Sequence, residues 1–390
     1  MEKLYFILPP ALPFPPVKGG AVETLLDLFV MQNEKKCIYD ITVFSLFDKE
    51  AEKRSIKYIY TKVVYIDNEE CAGLKNNFLA FIKKTFVSKN SIYTKNILGK
   101  IKTMGIPDLC IVEGGNYRDY VSISNYIGKK RMAIHIHAIS TPRFNANRIY
   151  GHFIFVSDAA KNVWEKKKRC NGYVLYNAVN EENFSNRLSF EEWYRVRKGM
   201  NISEKDFVVL YSGRLIEEKG ILELLKAIKQ INYPNIKLVI VGSSNFKNAI
   251  KTPYQKELEE EMNSNIIFTG YIDNVNIFKY YQVADVIVSP SIWEEAGSLV
   301  NIEAIMSGKA LITTSQGGNP EYVNPRGTLM IDYHEDKLEL IQNLKIAIEQ
   351  LYNDRVLIKK MEKENTIFSN KFSGDSYFVR YQKIINSILK

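Results

Sequence analysis

The 390-residue sequence lacks any unbroken apolar run approaching the roughly 18 to 20 residues that a bilayer-spanning helix needs, which argues against a helical integral membrane protein. It shows no charged leader followed by an apolar core and a small-residue cleavage site, because Leu4–Leu8 runs straight into Pro9 and Pro10. A cytoplasmic location is the expectation. Cysteine is scarce: Cys37, Cys71, Cys110 and Cys170 lie far apart, with no CxxC pair and no neighbouring histidine at metal spacing. Free thiols are therefore expected, and neither a disulfide framework nor a zinc site. No GxGxxG is present, which disfavours a nicotinamide-binding first domain. Internal repeats, low-complexity tracts and coiled-coil heptads are missing, as are the modules and base-stacking aromatics of a nucleic-acid binder.

What is present reads as a soluble globular chain: 46% of residues are apolar and 25% charged. The length suits two domains, each with its own core. Charge is unevenly shared. Residues 1–180 hold 27 Lys and Arg against 16 Asp and Glu, whereas the remainder holds 26 against 28. The basic half should face something acidic, such as a phosphorylated lipid, an anionic membrane surface or a nucleic acid.

Short apolar runs alternate with helical patterns, as in βαβ units with parallel sheets. The runs are Leu4–Leu8, Ile41–Leu46, Leu109–Glu113, Ala133–His137, Phe153–Ser157, Val208–Ser212, Lys237–Gly242, Asn265–Thr269, Val286–Pro290 and Ala310–Thr314. The first set closes near Val174–Asn177, and the polar stretch Glu181–Ser203 marks the boundary. The expected division is 1–185, 186–365 and a terminal helix at 366–390. Val22–Met31 and Ile221–Ile231 carry apolar residues at helical spacing after glycines, which suits helices starting at loops by strand carboxyl ends, where ligands bind.

Three segments carry chemistry. In the first, Gly19-Gly20-Ala21-Val22-Glu23, paired glycines allow close backbone approach and the following helix offers free amides to an anion; a plain tight turn is the alternative. In the second, Gly213-Arg214 ends a strand and Lys219-Gly220 precedes a helix, giving the two cations a diphosphate needs; a solvated charged loop is the alternative. The third runs from Ser289 to Gly308. A loop carries Glu295, a helix starts near Gly297 or Ser298, and Glu303 follows, eight residues after Glu295, so the two carboxylates address different parts of one extended ligand.

This last segment resembles the E-x7-E signature of retaining GT-B enzymes in glycosyltransferase family four, followed as in that family by Gly317-Gly318-Asn319-Pro320-Glu321. The resemblance extends over nearly the whole chain, through Gly19–Glu23, His135-Ile136-His137, Val156-Ser157, Tyr176–Asn180 with Phe184, Gly213-Arg214 with Lys219-Gly220, Gly270-Tyr271 and Phe372-Ser373. It implies a GT-B α/β fold, two Rossmann-like doubly wound parallel-sheet domains facing a central cleft. It also implies a hexosyltransferase that moves a sugar with retention from a nucleotide-sugar donor, here taken as a uridine diphosphate sugar, to a glycan or lipid-linked saccharide acceptor in envelope or capsule polysaccharide synthesis. Family members match Arg214 and Lys219 to the donor diphosphate, so no metal and no cofactor is expected. Glu303 corresponds to the ribose-binding glutamate, and Glu295 with the amides of Gly297, Ser298 and Leu299 to the group positioning the sugar. Gly213, Gly270, Tyr271 and Ile272 also fall on the donor side, the last three facing the base. Gly19 and Gly20 would meet donor phosphates or acceptor, and His137 a sugar hydroxyl, although a lone strand histidine is commonly structural. Glu23, Glu113 and Asn116 are read as acceptor-side; for Glu113-Gly114-Gly115-Asn116 a simple turn is the alternative. Relatives commonly read E-x-F-G where this chain has Glu295-Ala296-Gly297-Ser298, which bears on the identity of the sugar.

Asn77–Lys102, with Phe78–Phe86 and further lysines, suits a helix lying on an anionic leaflet, or equally an amphipathic helix packed on the sheet. The competing functions are a non-catalytic GT-B partner protein and a nucleotide-sugar epimerase.

Overall fold

In the structure, a computed structural model, the described residues are 1–67, 89–141, 146–167, 170, 172–185, 187–242 and 253–390. The segment Phe78–Phe86 considered for membrane contact lies outside them; Lys89–Met104 is a helix. Among the described residues, no helix is long and apolar enough to cross a membrane. The chain forms two compact units, one of residues 1–177 with 374–390 and one of residues 178–373.

The first unit is built on seven parallel strands: β1 (Glu2–Ile7), β2 (Tyr39–Leu46), β3 (Thr61–Ile66), β4 (Leu109–Glu113), β5 (Met132–Ile136), β6 (His152–Phe155) and β7 (Gly172–Val174). Their order is β3-β2-β1-β4-β5-β6-β7. The central strands β1 and β4 carry continuous apolar runs because helices cover both faces of a parallel sheet, and Leu4–Leu8 and Leu109–Val112 are fully buried. Helix Gly374–Leu389 belongs to this unit. It packs on helix Ala21–Lys36, with the Phe29 ring 5.0 Å from that of Phe378 and 4.8 Å from that of Tyr381.

The second unit has six parallel strands: β8 (Phe207–Ser212), β9 (Ile236–Val241), β10 (Ile266–Gly270), β11 (Val286–Ser289), β12 (Ala310–Thr314) and β13 (Thr328–Ile331). They run in the order β10-β9-β8-β11-β12-β13. Helix Ile221–Gln230 buries Ile221, Leu224, Leu225 and Ile228, the three- and four-residue spacing of its apolar face. Each such side chain contributes about 1.5–3 kcal/mol by leaving water.

Chain order reverses between β1 and β4 in one sheet and between β8 and β11 in the other. Ligands of doubly wound sheets bind at the carboxyl ends of the strands flanking such a reversal.

Candidate active site

In the second unit, four of the sequence-identified side chains stand at this reversal. β8 ends at Ser212, Arg214 follows, and Glu217–Lys219 form one turn of 3-10 helix before Gly220 opens the next helix. This loop is fastened to the one after β11: the Ile292 N–H donates to the Glu218 carbonyl at 3.0 Å, and the Ser291 hydroxyl lies 3.0 Å from the same oxygen. The fastening brings Lys219 to Glu295, and its ammonium donates a short hydrogen bond to Oε1. That oxygen also lies 2.6 Å from the Ser291 hydroxyl. An ammonium has three donors, so Lys219 keeps two for another acceptor. Oε2 of Glu295 carries no hydrogen bond among the described residues. Arg214 is exposed and forms no ion pair among them, while its carbonyl accepts from the Tyr211 hydroxyl at 2.7 Å.

Glu303 lies on helix Leu299–Met306, whose N-cap Ser298 accepts a hydrogen bond from the Asn301 N–H. Its Oε2 accepts from the Tyr281 hydroxyl at 2.6 Å. Tyr281 in turn lies near Ser212, the last residue of β8. Burial pushes the Glu303 carboxyl up to about 7, against the lowering effect of the Tyr281 bond. Gly297, Ser298 and Leu299 form the start of the helix, where backbone amides present positive charge. Gly270 closes β10, and Tyr271, half exposed, and Ile272 follow it.

The first unit assembles a different group. Gly20 caps helix Ala21–Lys36 without a side-chain hydrogen bond, and Glu23 in its first turn is buried. A Cβ on Gly20 would stand 2.1 Å from Glu23 Oε2, so this glycine allows the carboxyl to fold back over the backbone. Burial raises the Glu23 carboxyl, partly offset by a hydrogen bond from its own backbone and by His137. Glu113, the last residue of β4, sits in register with His135 on β5 and is only 3% exposed. Its Oε2 meets His135 Nδ1 at 2.9 Å and His137 Nε2 at 3.0 Å, and its Oε1 accepts from the Tyr381 hydroxyl at 3.2 Å. Asn116 is exposed in the loop beyond, bonded to Asp119 at 3.1 Å. Glu113, His135 and His137 hold three atoms of metal-ligand type within 4.8 Å of one another, but these already pair by hydrogen bonds.

Sequence reasoning did not reach Ser291, Tyr281, His135 as a partner of Glu113, or Tyr381. The signal for Tyr281 is faint, a tyrosine inside a helix. Tyr381 had none, because its partner is 268 residues away along the chain.

Residues 195–367 match the family model described as Glycosyl transferases group 1. The chain carries a glycosyltransferase domain. Over 98% of its own length and 98% of the relative's, this glycosyltransferase is 25% identical to lipopolysaccharide 1,2-N-acetylglucosaminetransferase of Salmonella typhimurium. It is 26% identical to the putative glycosyltransferase YtcC of Bacillus subtilis, over 93% of this chain and 86% of that one. Among solved structures it resembles Anabaena Alr3699/HepE in complex with UDP-glucose, with a TM-score of 0.74 at 18% identity over 99% of this chain and 100% of that one. Its two parallel-sheet α/β units are those of the GT-B fold.

Proposed function

We propose that the enzyme is a retaining glycosyltransferase of family four that moves a sugar from a uridine diphosphate donor to a saccharide or lipid-linked acceptor in envelope or capsule polysaccharide synthesis. The observation that carries this reading is the placement of Lys219 and Arg214 at the end of β8, with Lys219 bonded to Glu295 from the loop after β11. The two spare N–H groups of Lys219 and the guanidinium of Arg214 supply positive charge where a diphosphate leaves, which favours the transition state over the ground state. In other transferases a divalent metal supplies that charge; here two side chains do, and the reaction proceeds without one. Glu295 turns its free oxygen to a sugar hydroxyl, and Glu303 accepts from the ribose. The name of the Salmonella relative supports a polysaccharide acceptor, and the UDP-glucose held by the Anabaena protein supports the choice of donor. The enzyme works at the inner face of the cell membrane, where lipid-linked acceptors are found.

The test is a panel of uridine, guanosine, adenosine and thymidine diphosphate sugars, read by thermal shift and by release of the nucleoside diphosphate in the presence and absence of EDTA. With a saccharide or lipid-linked acceptor present, one donor should raise Tm and turn over unaffected by EDTA, with NMR of the new glycosidic bond showing the donor's anomeric configuration. Inversion in the product overturns retention. A panel in which no donor binds or turns over overturns the whole reading.

A further inference from the structure

The Glu113 cluster is more than a buried polar contact. We propose that Glu113 is a positioning residue that locks His137 in the tautomer protonated at Nε2, so that His137 presents Nδ1 as a hydrogen-bond acceptor to a substrate hydroxyl, and that Tyr381 of the C-terminal helix anchors Glu113 from behind. The step from tautomer to substrate rests on the glycosyl-transfer reading; the tautomer itself does not.

A carboxylate only accepts hydrogen bonds, so both histidine nitrogens that face Glu113 must carry protons. At His135 that is Nδ1, and its Nε2 is left buried without a partner. At His137 it is Nε2, and the lone pair falls on Nδ1, which makes no hydrogen bond among the described residues. His135 is 1% exposed and His137 16%, so of the two only His137 has an edge open to solvent. The acceptor is therefore offered outward, and a sugar hydroxyl is the donor it fits.

The charge state follows the same arrangement. Burial lowers the His137 imidazole below the usual histidine range and His135 pushes the same way, while Glu113 on β4 and Glu23 on helix Ala21–Lys36 pull it back only in part. At Glu113, burial alone would raise the carboxyl, but His135 and His137 outweigh it and hold the group far below the ordinary carboxylate range. A neutral imidazole beside an ionised carboxylate has one stable arrangement of its proton. Without the carboxylate the two tautomers become similar in energy, and in one of them Nδ1 is a donor that meets a hydroxyl only through its oxygen.

Tyr381 is fully buried and gives Glu113 its third donor. Its ring also lies 5.9 Å from that of His135 and 4.8 Å from that of Phe29, so the hydroxyl that meets the carboxylate is carried on a packed ring.

The experiment is NMR of the full-length protein with 15N-labelled histidine, whose four residues are few enough to assign, for the wild type, Glu113→Gln and Tyr381→Phe. Wild-type His137 is expected to show a protonated Nε2 and an unprotonated Nδ1 from pH 6 to 8 without any substrate. In Glu113→Gln the amide offers a donor as well as an acceptor, so the two tautomers mix and kcat falls on the order of 10- to 100-fold, the usual effect of losing one such hydrogen bond, with donor KM changing less. Tyr381→Phe removes the third donor to Glu113 and should lower kcat by less than Glu113→Gln does, with partial mixing of the His137 tautomers; a Tyr381→Phe protein at parental spectrum and kcat overturns the anchoring role. A wild-type His137 protonated at Nδ1, or Glu113→Gln at parental kcat with a folded near-ultraviolet spectrum, overturns the proposal. One equivalent of tightly bound transition metal that disappears in Glu113→Gln also overturns it, because the same atoms would then be ligands. If the tautomer is as expected but no sugar is transferred, the failure belongs to the functional reading.

Discussion

Gly317 lies against the backbone of Glu295: a Cβ at Gly317 would come within 2.4 Å of the Glu295 carbonyl oxygen, the same oxygen that accepts the Gly318 N–H at 2.6 Å. The loop after β12 thus fixes the main chain of the residue whose side chain meets Lys219. Gly317 also has a φ of 59°, in the left-handed region. Gly317→Ala is expected to cost roughly 1–3 kcal/mol and to lower turnover through displacement of Glu295. Thermal melting together with donor turnover checks this, and a variant that keeps both at parental values refutes it.

The two cations of the β8 loop differ in what surrounds them. Lys219 is paired with Glu295, whereas Arg214 has no ion-pair partner among the described residues. Removal of Arg214 as alanine should therefore leave Tm unchanged and reduce turnover on the order of 100-fold or more. Lys219→Ala should reduce turnover to a similar extent and also release Glu295. Steady-state release of the nucleoside diphosphate measures both.

On the proposed function, Glu303 should give the enzyme a pH dependence of donor binding. Its carboxyl, raised to about 7 by burial, is ionised above that value and protonated below it. Only the ionised form offers both oxygens as acceptors. Donor KM should rise as pH falls from 8 to 6, by up to about tenfold for one unit below the pKa. Glu303→Gln should have a higher KM at every pH and lose the dependence. A wild-type KM flat over this range would contradict the assignment.

At Gly20 the constraint comes from a side chain. Alanine there would drive its Cβ into Glu23 Oε2, at a φ of 104°. A loss of roughly 1–3 kcal/mol is expected, or a fall in Tm of roughly 2–10 °C for a unit of this size. The neighbouring Gly19→Ala should lose less, since nothing lies within 4 Å of the added carbon. Differential scanning fluorimetry of the pair decides between them.

The strands legible in the sequence are those whose pattern is continuous. The apolar runs at Leu4–Leu8, Leu109–Glu113, Val208–Ser212 and Val286–Pro290 coincide to within two residues with β1, β4, β8 and β11, because strands covered on both faces leave little room for polar residues. β3, β7 and β13 were not among the runs. All three are edge strands, and each carries exposed or half-exposed positions, as Lys62, Tyr173 and Met330 show. The site divides in a similar way. Arg214, Lys219, Glu295 and Glu303 stood out because loop and helix spacing is local. The partners of Glu113 did not, because they depend on the register of β4 with β5 and on a helix that the chain reaches only at its end.

The first unit is discontinuous in sequence, and this sets the order in which the protein matures on the ribosome. Helix Gly374–Leu389 supplies Phe378 and Tyr381 to a sheet whose strands have all emerged by Val174. At about 5–20 residues per second, residues 178–373 take roughly 10–40 s to synthesise. During that interval Phe29 and Glu113 lack their last partners, while the second unit acquires its strands, the last of them ending at Ile331. The half of the enzyme that is translated first is therefore the half completed last.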